Sequence, residues 1–217
     1  MIYTFGGILA VAIAYLLGSI PFAKIIVQLV SKKNIVNEGS GNVGAMNSYD
    51  VTGNKFVGIL VAFLDVGKGV LAVYIAILLS DGNFTSIATA AVFTVFSHNY
   101  NPWLKWEGGR GLAPTVGVLL LVYPIGIFLW SIMYLTTYAA IRRNIHVASM
   151  GGILGSVLLV LSAPEKFNEI MLLVPVQQMS QLKWMIICLA TLLFIRHLQP
   201  IRDFIKNERE EEATKVE

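Results

Sequence analysis

The chain has 217 residues and a net charge of +3; 56% of its residues are hydrophobic and 13% charged, against about 25% charged in an ordinary soluble domain. That balance excludes a water-soluble globular enzyme, and a small net charge, with the charges segregated by loop, argues against nucleic acid as a partner. A single cysteine, Cys188, excludes an intramolecular disulfide.

In chain order, the first apolar run covers residues 4–30. It lacks a basic leader and a small-residue cleavage site, so it reads as a retained span rather than a signal peptide. Residues 31–54 follow as a polar loop, and "EGSGNVGAMNSYDVTGNKFVG", Glu38 to Gly58, concentrates glycine and asparagine between two apolar runs. A span at 55–79 carries Asp65 and Lys68 in "FLDVGKG". Three residues apart, they share a helix face. Charges inside a span are costly and face the protein interior, which fits an ion pair that fixes helix packing and supports a nearby site. A shorter run at 84–98 leads into "SHNYNPWLKWEGGRG", Ser97 to Gly111.

Spans at 112–122 and 124–141 are separated at Tyr123-Pro124, since proline disfavours helix at the residue before it. As a single helix, residues 112–141 would reach roughly 45 Å, longer than a hydrocarbon core of about 30 Å. Spans at 146–163 and 182–197 complete a set of seven, with an outer loop at 162–181. The charged tail from 205 to 217 is expected to be disordered, leaving 1–204 as one membrane domain.

Charge fixes the orientation. With the N-terminus outside, the cytoplasmic segments collect Lys24, Lys32, Lys33 and Lys55, then Lys105 and Arg110, then Arg142 and Arg143, then Arg196, Arg202, Lys206, Arg209 and Lys215. The outer loops keep Lys166 and Lys183. This is a positive-inside distribution, and merging the fourth and fifth spans would destroy it. The predicted fold class is therefore all-α: a polytopic integral membrane protein of about seven transmembrane helices, N-terminus outside and C-terminus cytoplasmic.

All the polar bands then gather on one side, and three inner loops each run into a helix N-terminus. Free N–H groups and a partial positive charge there favour anions. Glycine-rich approaches and nearby arginines point to phosphate, which combines charge with several acceptors.

"GSGNVGAMN", "FLDVGKG", "SHNYNPWLKWEGGRG" and "RHLQPIRDF" together resemble, in order and spacing over about the whole chain, the bacterial acyl-phosphate:glycerol-3-phosphate acyltransferases. The resemblance implies transfer of an acyl group from acyl phosphate to the 1-hydroxyl of glycerol 3-phosphate. The products are lysophosphatidic acid and phosphate, and this is the first step of phospholipid synthesis. It implies no metal and no cofactor, a bacterial inner-membrane location with the site facing the cytoplasm, and membrane lipid and other phospholipid-synthesis enzymes as partners. By the resemblance, Gly39, Ser40, Gly41, Asn42 and Gly44 of the first motif wrap substrate phosphate. Gly108, Gly109, Arg110 and Gly111 of the second, with Ser149 of the third inner loop, do the same. His197, Ser40, Asn47 and His98 are the candidate catalytic residues, and Asp65 and Lys68 support them.

The chain departs from the family pattern at named positions. Arg110 stands where lysine is usual and Ser97 where glycine is usual. Asp50 replaces an arginine, Leu198 a second arginine, and Pro200 an asparagine. These departures leave room for a weakly active or non-catalytic relative that binds phosphate-bearing lipid. Polar residues in the spans also suit a transporter of a small anionic solute.

Overall fold

The computed structural model describes residues 4–141 and 144–214, with side chains as far as Lys206. Arg142, Arg143 and Lys215, on which part of the orientation rests, lie outside the described residues. Among the described residues the regular structure is entirely helical. α1 (Phe5–Gly18) and α2 (Phe22–Ser31) together make the first apolar run. They are followed by α3 (Ala45–Thr52), α4 (Lys55–Leu79), α5 (Phe84–Asn99), α6 (Leu112–Val122), α7 (Ile125–Ala140), α8 (Ile145–Ser162), α9 (Glu165–Met171) and α10 (Met179–Thr214). Four stretches are long and apolar enough to cross a membrane: Phe5–Ser31, Lys55–Leu79, Ile145–Ser162 and Met179–Lys206. α6 and α7 are apolar but shorter.

The first run differs from the unbroken span expected of it. Pro21 has no N–H to continue the helix, so the chain breaks after α1, and the Ser19 carbonyl has no helical donor while the Ile20 carbonyl meets Phe22 N at 3.1 Å. Orphan carbonyls away from water need donors. Asn101 Nδ2 donates to Ser19 O at 2.7 Å, and Lys68 Nζ to Ile20 O at 3.2 Å. The break thus ties α1 and α2 to α4 and to the segment after α5.

The glycine-rich loop also differs. Part of it is helix: α3 starts after Gly44 and ends at Gly53, whose φ of 66° makes the left-handed cap that suits glycine. The outer loop contains α9, and α10 continues as helix to Thr214, past the expected start of a disordered tail; residues 215–217 lie outside the described residues.

Burial explains the arrangement. α4 buries Val57, Val61, Asp65, Lys68, Ala72, Val73 and Ala76 at helical spacing. It meets α6 where both carry glycine: a Cβ at Gly69 would lie 2.3 Å from Pro114 O, and one at Gly117 2.0 Å from Val66 O. Small residues allow this backbone approach between membrane helices. α1 packs on α5, α7 on α8, and α10 against both α5 and α8. Phe56, Ile59, Phe63, Leu78, Phe128 and Leu158 face outward, as a lipid-facing surface requires. A second, smaller core of Ala23, Val27, Ile35, Val43, Val57, Val61 and Leu104 lies beneath the glycine-rich loop and fixes it on α2 and α4.

Candidate active site

The first motif is organised by one side chain. Asn47, buried on α3, accepts from Ser40 N at 2.9 Å and donates to the Glu38 and Asn42 carbonyls at 3.0 Å each and to the Ile35 carbonyl at 3.3 Å. Gly39 and Gly41 adopt φ of 57° and 69°, which lets the loop close around that amide. Asn47 therefore shapes the loop, and its polar atoms are committed to backbone. Ser40, expected as a candidate nucleophile, is exposed at the loop's tip. Its hydroxyl has no histidine or carboxylate hydrogen-bonded to it to act as a base.

The second motif is held from a distance. Arg196 on α10 donates from Nε to Gly109 O at 3.1 Å and from a terminal nitrogen to Gly108 O at 2.7 Å, with its guanidinium over the Tyr100 ring. Gly109 N donates to His98 O. A Cβ at Gly109 would fall 2.0 Å from His98 Nε2, so the absence of a side chain there makes room for the imidazole. Gly111 caps α6 with a left-handed backbone. Arg110 projects between the motifs, with a terminal nitrogen 3.4 Å from His146 Nδ1. Burial and the neighbouring Arg196 guanidinium pull Arg110 below the usual arginine value, but arginine starts high enough to remain a cation at neutral pH.

These pieces enclose a cavity of about 400 Å³, whose wall includes Ser40, Asn42, Gly44, Asn47, Asp65, His98, Arg110, Gly111, Ser149 and His197. A wider vestibule of about 940 Å³ shares Ser40, Asn42, Arg110 and His146 with it and adds Gly39, Gly41, Gly108, Arg196 and Pro200. A narrow apolar cleft of about 70 Å³ meets the cavity at Leu112 and Trp130 and runs between α6, α7, α8 and α10. Of the candidate catalytic, phosphate-binding and supporting residues, Gly109 and Lys68 stand behind the wall; the others line the cavity or the vestibule.

The helix termini do not contribute equally. α3 and α6 begin at the cavity wall without a side-chain cap. At α8, Asn144 Oδ1 accepts from the His146 and Val147 amides, so those donors are already used. Ser149 returns its hydroxyl proton to Ile145 O at 2.8 Å and offers the cavity an acceptor. The third inner loop therefore offers the cavity side chains rather than a free helix terminus.

At the back of the cavity Asp65, on the wall, pairs with Lys68 behind it at 2.8 Å, both residues buried. Lys68 also bonds His98 Nδ1 at 2.8 Å. His197 is buried with Nδ1 2.7 Å from Leu193 O. Residues missed in the sequence include Arg196 and His146, along with Trp130 and Tyr134, whose stacked rings form the α7 side of the cavity. Arg196 was visible as the residue before His197, and His146 as the residue one turn before Ser149. Their roles depend on which chain segments meet. Asp50 stands exposed on the cavity wall, where it places a carboxylate.

The glycerol-3-phosphate acyltransferase family profile matches residues 8–207. The chain is 36% identical to a glycerol-3-phosphate acyltransferase of Carboxydothermus hydrogenoformans, over 96% of each protein, and 31% identical to one of Anaeromyxobacter sp. (strain Fw109-5), over 93% of this chain and 94% of the relative. A Wolbachia pipientis relative is 41% identical over 127 residues, 57% of this chain; the match spans 65% of that relative's length. Among solved structures, the fold is similar to PlsY, an integral membrane glycerol 3-phosphate acyltransferase, in its glycerol 3-phosphate form. The TM-score is 0.76 at 28% identity, over 93% of this chain and 92% of that one. The form of the same enzyme with lysophosphatidic acid gives 0.74. With its apolar helices and a matched profile over nearly its whole length, this membrane protein belongs to the glycerol-3-phosphate acyltransferase family.

Proposed function

We propose that the protein transfers an acyl group from acyl phosphate to the 1-hydroxyl of glycerol 3-phosphate, releasing lysophosphatidic acid and phosphate. The observation that carries this reading is the joining of two glycine-rich loops and Arg110 to an apolar cleft at one cavity. The polar part suits phosphate, and the cleft suits an acyl chain. Acyl phosphate is already activated, so positioning and electrostatic stabilisation supply the acceleration. The hydroxyl oxygen bonds to the acyl carbon, the bond from that carbon to the phosphate oxygen breaks, and the hydroxyl proton leaves with phosphate. Backbone amides of the loops and Arg110 stabilise the developing charge, with Gly39, Ser40, Gly41, Asn42, Gly44, Gly108, Gly111 and Ser149 around the phosphates. No residue has to be acylated, which suits the unassisted Ser40 hydroxyl.

The proposed topology is seven spans over residues 1–204, in a bacterial inner membrane, with the cavity on the cytoplasmic side. The lysine and arginine distribution supports it. Labelling of introduced cysteines in a Cys188→Ser background tests it: positions 40 and 107 react from the cytoplasmic side and position 166 from outside. Labelling of position 40 from outside overturns the orientation.

The deciding assay is turnover of the purified protein with acyl phosphate and glycerol 3-phosphate, without added metal, against the same assay with an acyl thioester. Turnover with the thioester alone rejects the donor. Asp50 on the cavity wall favours weak binding of the dianionic acceptor as a second reading. Its signature is a high KM for glycerol 3-phosphate, or binding without turnover.

A further inference from the structure

Three histidines line the same cavity; in two of them, His98 and His197, a different kind of partner occupies Nδ1. Lys68 Nζ is surrounded by three acceptors: Ile20 O at 3.2 Å, Asp65 Oδ1 at 2.8 Å and His98 Nδ1 at 2.8 Å. An ammonium has three N–H donors and no acceptor. Facing a carboxylate and a carbonyl, Lys68 spends its third donor on His98 Nδ1. That nitrogen must accept, so the ring's single proton sits on Nε2. Nε2 lies against Gly109, which stands just behind the wall that the His98 ring helps to form. On the other side, His197 Nδ1 meets the Leu193 carbonyl at 2.7 Å, and a carbonyl can only accept. His197 Nδ1 therefore carries the proton, and Nε2 is a free lone pair. Packing has set the two rings as opposite tautomers, one a donor and the other an acceptor.

We propose that the buried Asp65–Lys68 pair is a positioning device for the acyl transfer, holding His98 as an Nε2–H donor to an anionic substrate oxygen, while His197 accepts from the glycerol hydroxyl and orients it for attack. His98 is then a ligand for phosphate or for the oxygen of the acyl carbonyl, and takes no proton in the reaction. His197 accepts a hydrogen bond through Nε2, and the hydroxyl proton still departs with phosphate. Asp65 and Lys68 touch no substrate in this scheme. Lys68 also donates to Ile20 O at the Pro21 break, so the device is built into the junction of α1, α2, α4 and α5. The proposal rests on the acyltransferase reading for its substrates, but the tautomers themselves do not depend on it.

The test is nitrogen-15 NMR on the full chain, labelled at histidine and held in lipid nanodiscs, where protonated and unprotonated ring nitrogens resonate apart. Variants at His98, His146 and His197 assign the three rings. The expected result is His98 protonated at Nε2 and His197 protonated at Nδ1. His98 protonated at Nδ1, or the two rings alike, overturns the proposal whether or not the protein proves to be an acyltransferase. In Asp65→Asn/Lys68→Met, which avoids a lone buried charge, His98 loses its single tautomer while His197 keeps its own; an unchanged His98 spectrum overturns the positioning role. His98→Gln retains an amide donor near the position of Nε2, and His98→Leu has none. With acyl phosphate and glycerol 3-phosphate, His98→Gln should keep kcat/KM within about tenfold of wild type, and His98→Leu should fall about ten- to a hundredfold below His98→Gln, as for a hydrogen bond to a charged group. Equal loss in both variants overturns the donor role.

Discussion

The two glycine-rich loops, both proposed to bind phosphate, are built in different ways. The loop of Gly39 to Gly44 is organised from within: Asn47 reaches back 5 to 12 residues and holds its backbone through four hydrogen bonds. The loop of Gly108 to Gly111 has no such organiser of its own. Its carbonyls are turned outward by Arg196, 87 and 88 residues away, and its backbone makes room for His98. A local device holds one half of the site and a tertiary one the other. The first loop's shape therefore depends on one amide, and the second depends on where α10 docks.

The sharpest way to break this comparison is Asn47→Ala. It leaves Ser40 N–H without its acceptor and strips the Ile35, Glu38 and Asn42 carbonyls of a side-chain donor, each keeping one backbone N–H. Four hydrogen bonds are lost at about 0.5–1.5 kcal/mol each, and with them the contacts that fix the loop's shape. kcat/KM should drop at least a hundredfold, about 2.7 kcal/mol. Hydrogen exchange should rise in residues 38–44 and stay unchanged in 108–111. Faster exchange in both loops would mean that they are one cooperative unit.

Arg196→Ala is the matching cut in the second loop. Two charge-assisted bonds to carbonyls are lost, worth about 1.5–3 kcal/mol for bonds to charged groups. The expected result is a ten- to hundredfold fall in kcat/KM, with exchange rising in 108–111 only. Arg196→Lys should recover little, because an ammonium lacks the planar fork that reaches both carbonyls.

Arg110 lies between the loops, lines both the cavity and the vestibule, and is the cation proposed to meet the substrates. Arg110→Ala should raise the KM for glycerol 3-phosphate, for acyl phosphate or for both by about tenfold or somewhat more, the cost of one charge-assisted contact, and hydrogen exchange should stay at the wild-type rate in both loops. A folded variant with wild-type kinetics removes Arg110 from the site.

The smallest effect is expected at Asp50, which belongs to α3 and faces the cavity from the edge of the first loop. At an effective dielectric of about 20, unit charges about 6 Å apart interact by roughly 3 kcal/mol. Solvent screening at an exposed carboxylate leaves a fraction of that. Asp50→Asn should lower the KM for glycerol 3-phosphate a few-fold, and Asp50→Arg somewhat further. The KM for acyl phosphate should move less if the two phosphates occupy separate subsites. Unchanged constants in both variants put Asp50 outside the site despite its position on the wall.

The sequence alone determined the membrane class, because long uncharged runs have no other stable place. It also determined α4, α6 and α7 nearly to the residue, since helix period, proline and bilayer thickness act over short distances. The residues of both loops were legible, because glycine and asparagine mark special backbone wherever they cluster. The tertiary structure decided what those residues do. Asn47 is a candidate catalytic group by its motif, but the α3 helix turns it inward and spends its amide on the loop. Arg196 counts in the sequence as a cytoplasmic charge and becomes the clamp of Gly108 and Gly109. Lys68 sits three residues from Asp65 in the chain, but its contacts to Ile20 and His98 lie 48 and 30 residues away. A side chain's donors are fixed by its chemistry; which acceptors it meets is fixed only when distant helices pack. The opposite tautomers of His98 and His197 follow from that packing, because a neutral imidazole has one proton and its neighbours decide which nitrogen holds it.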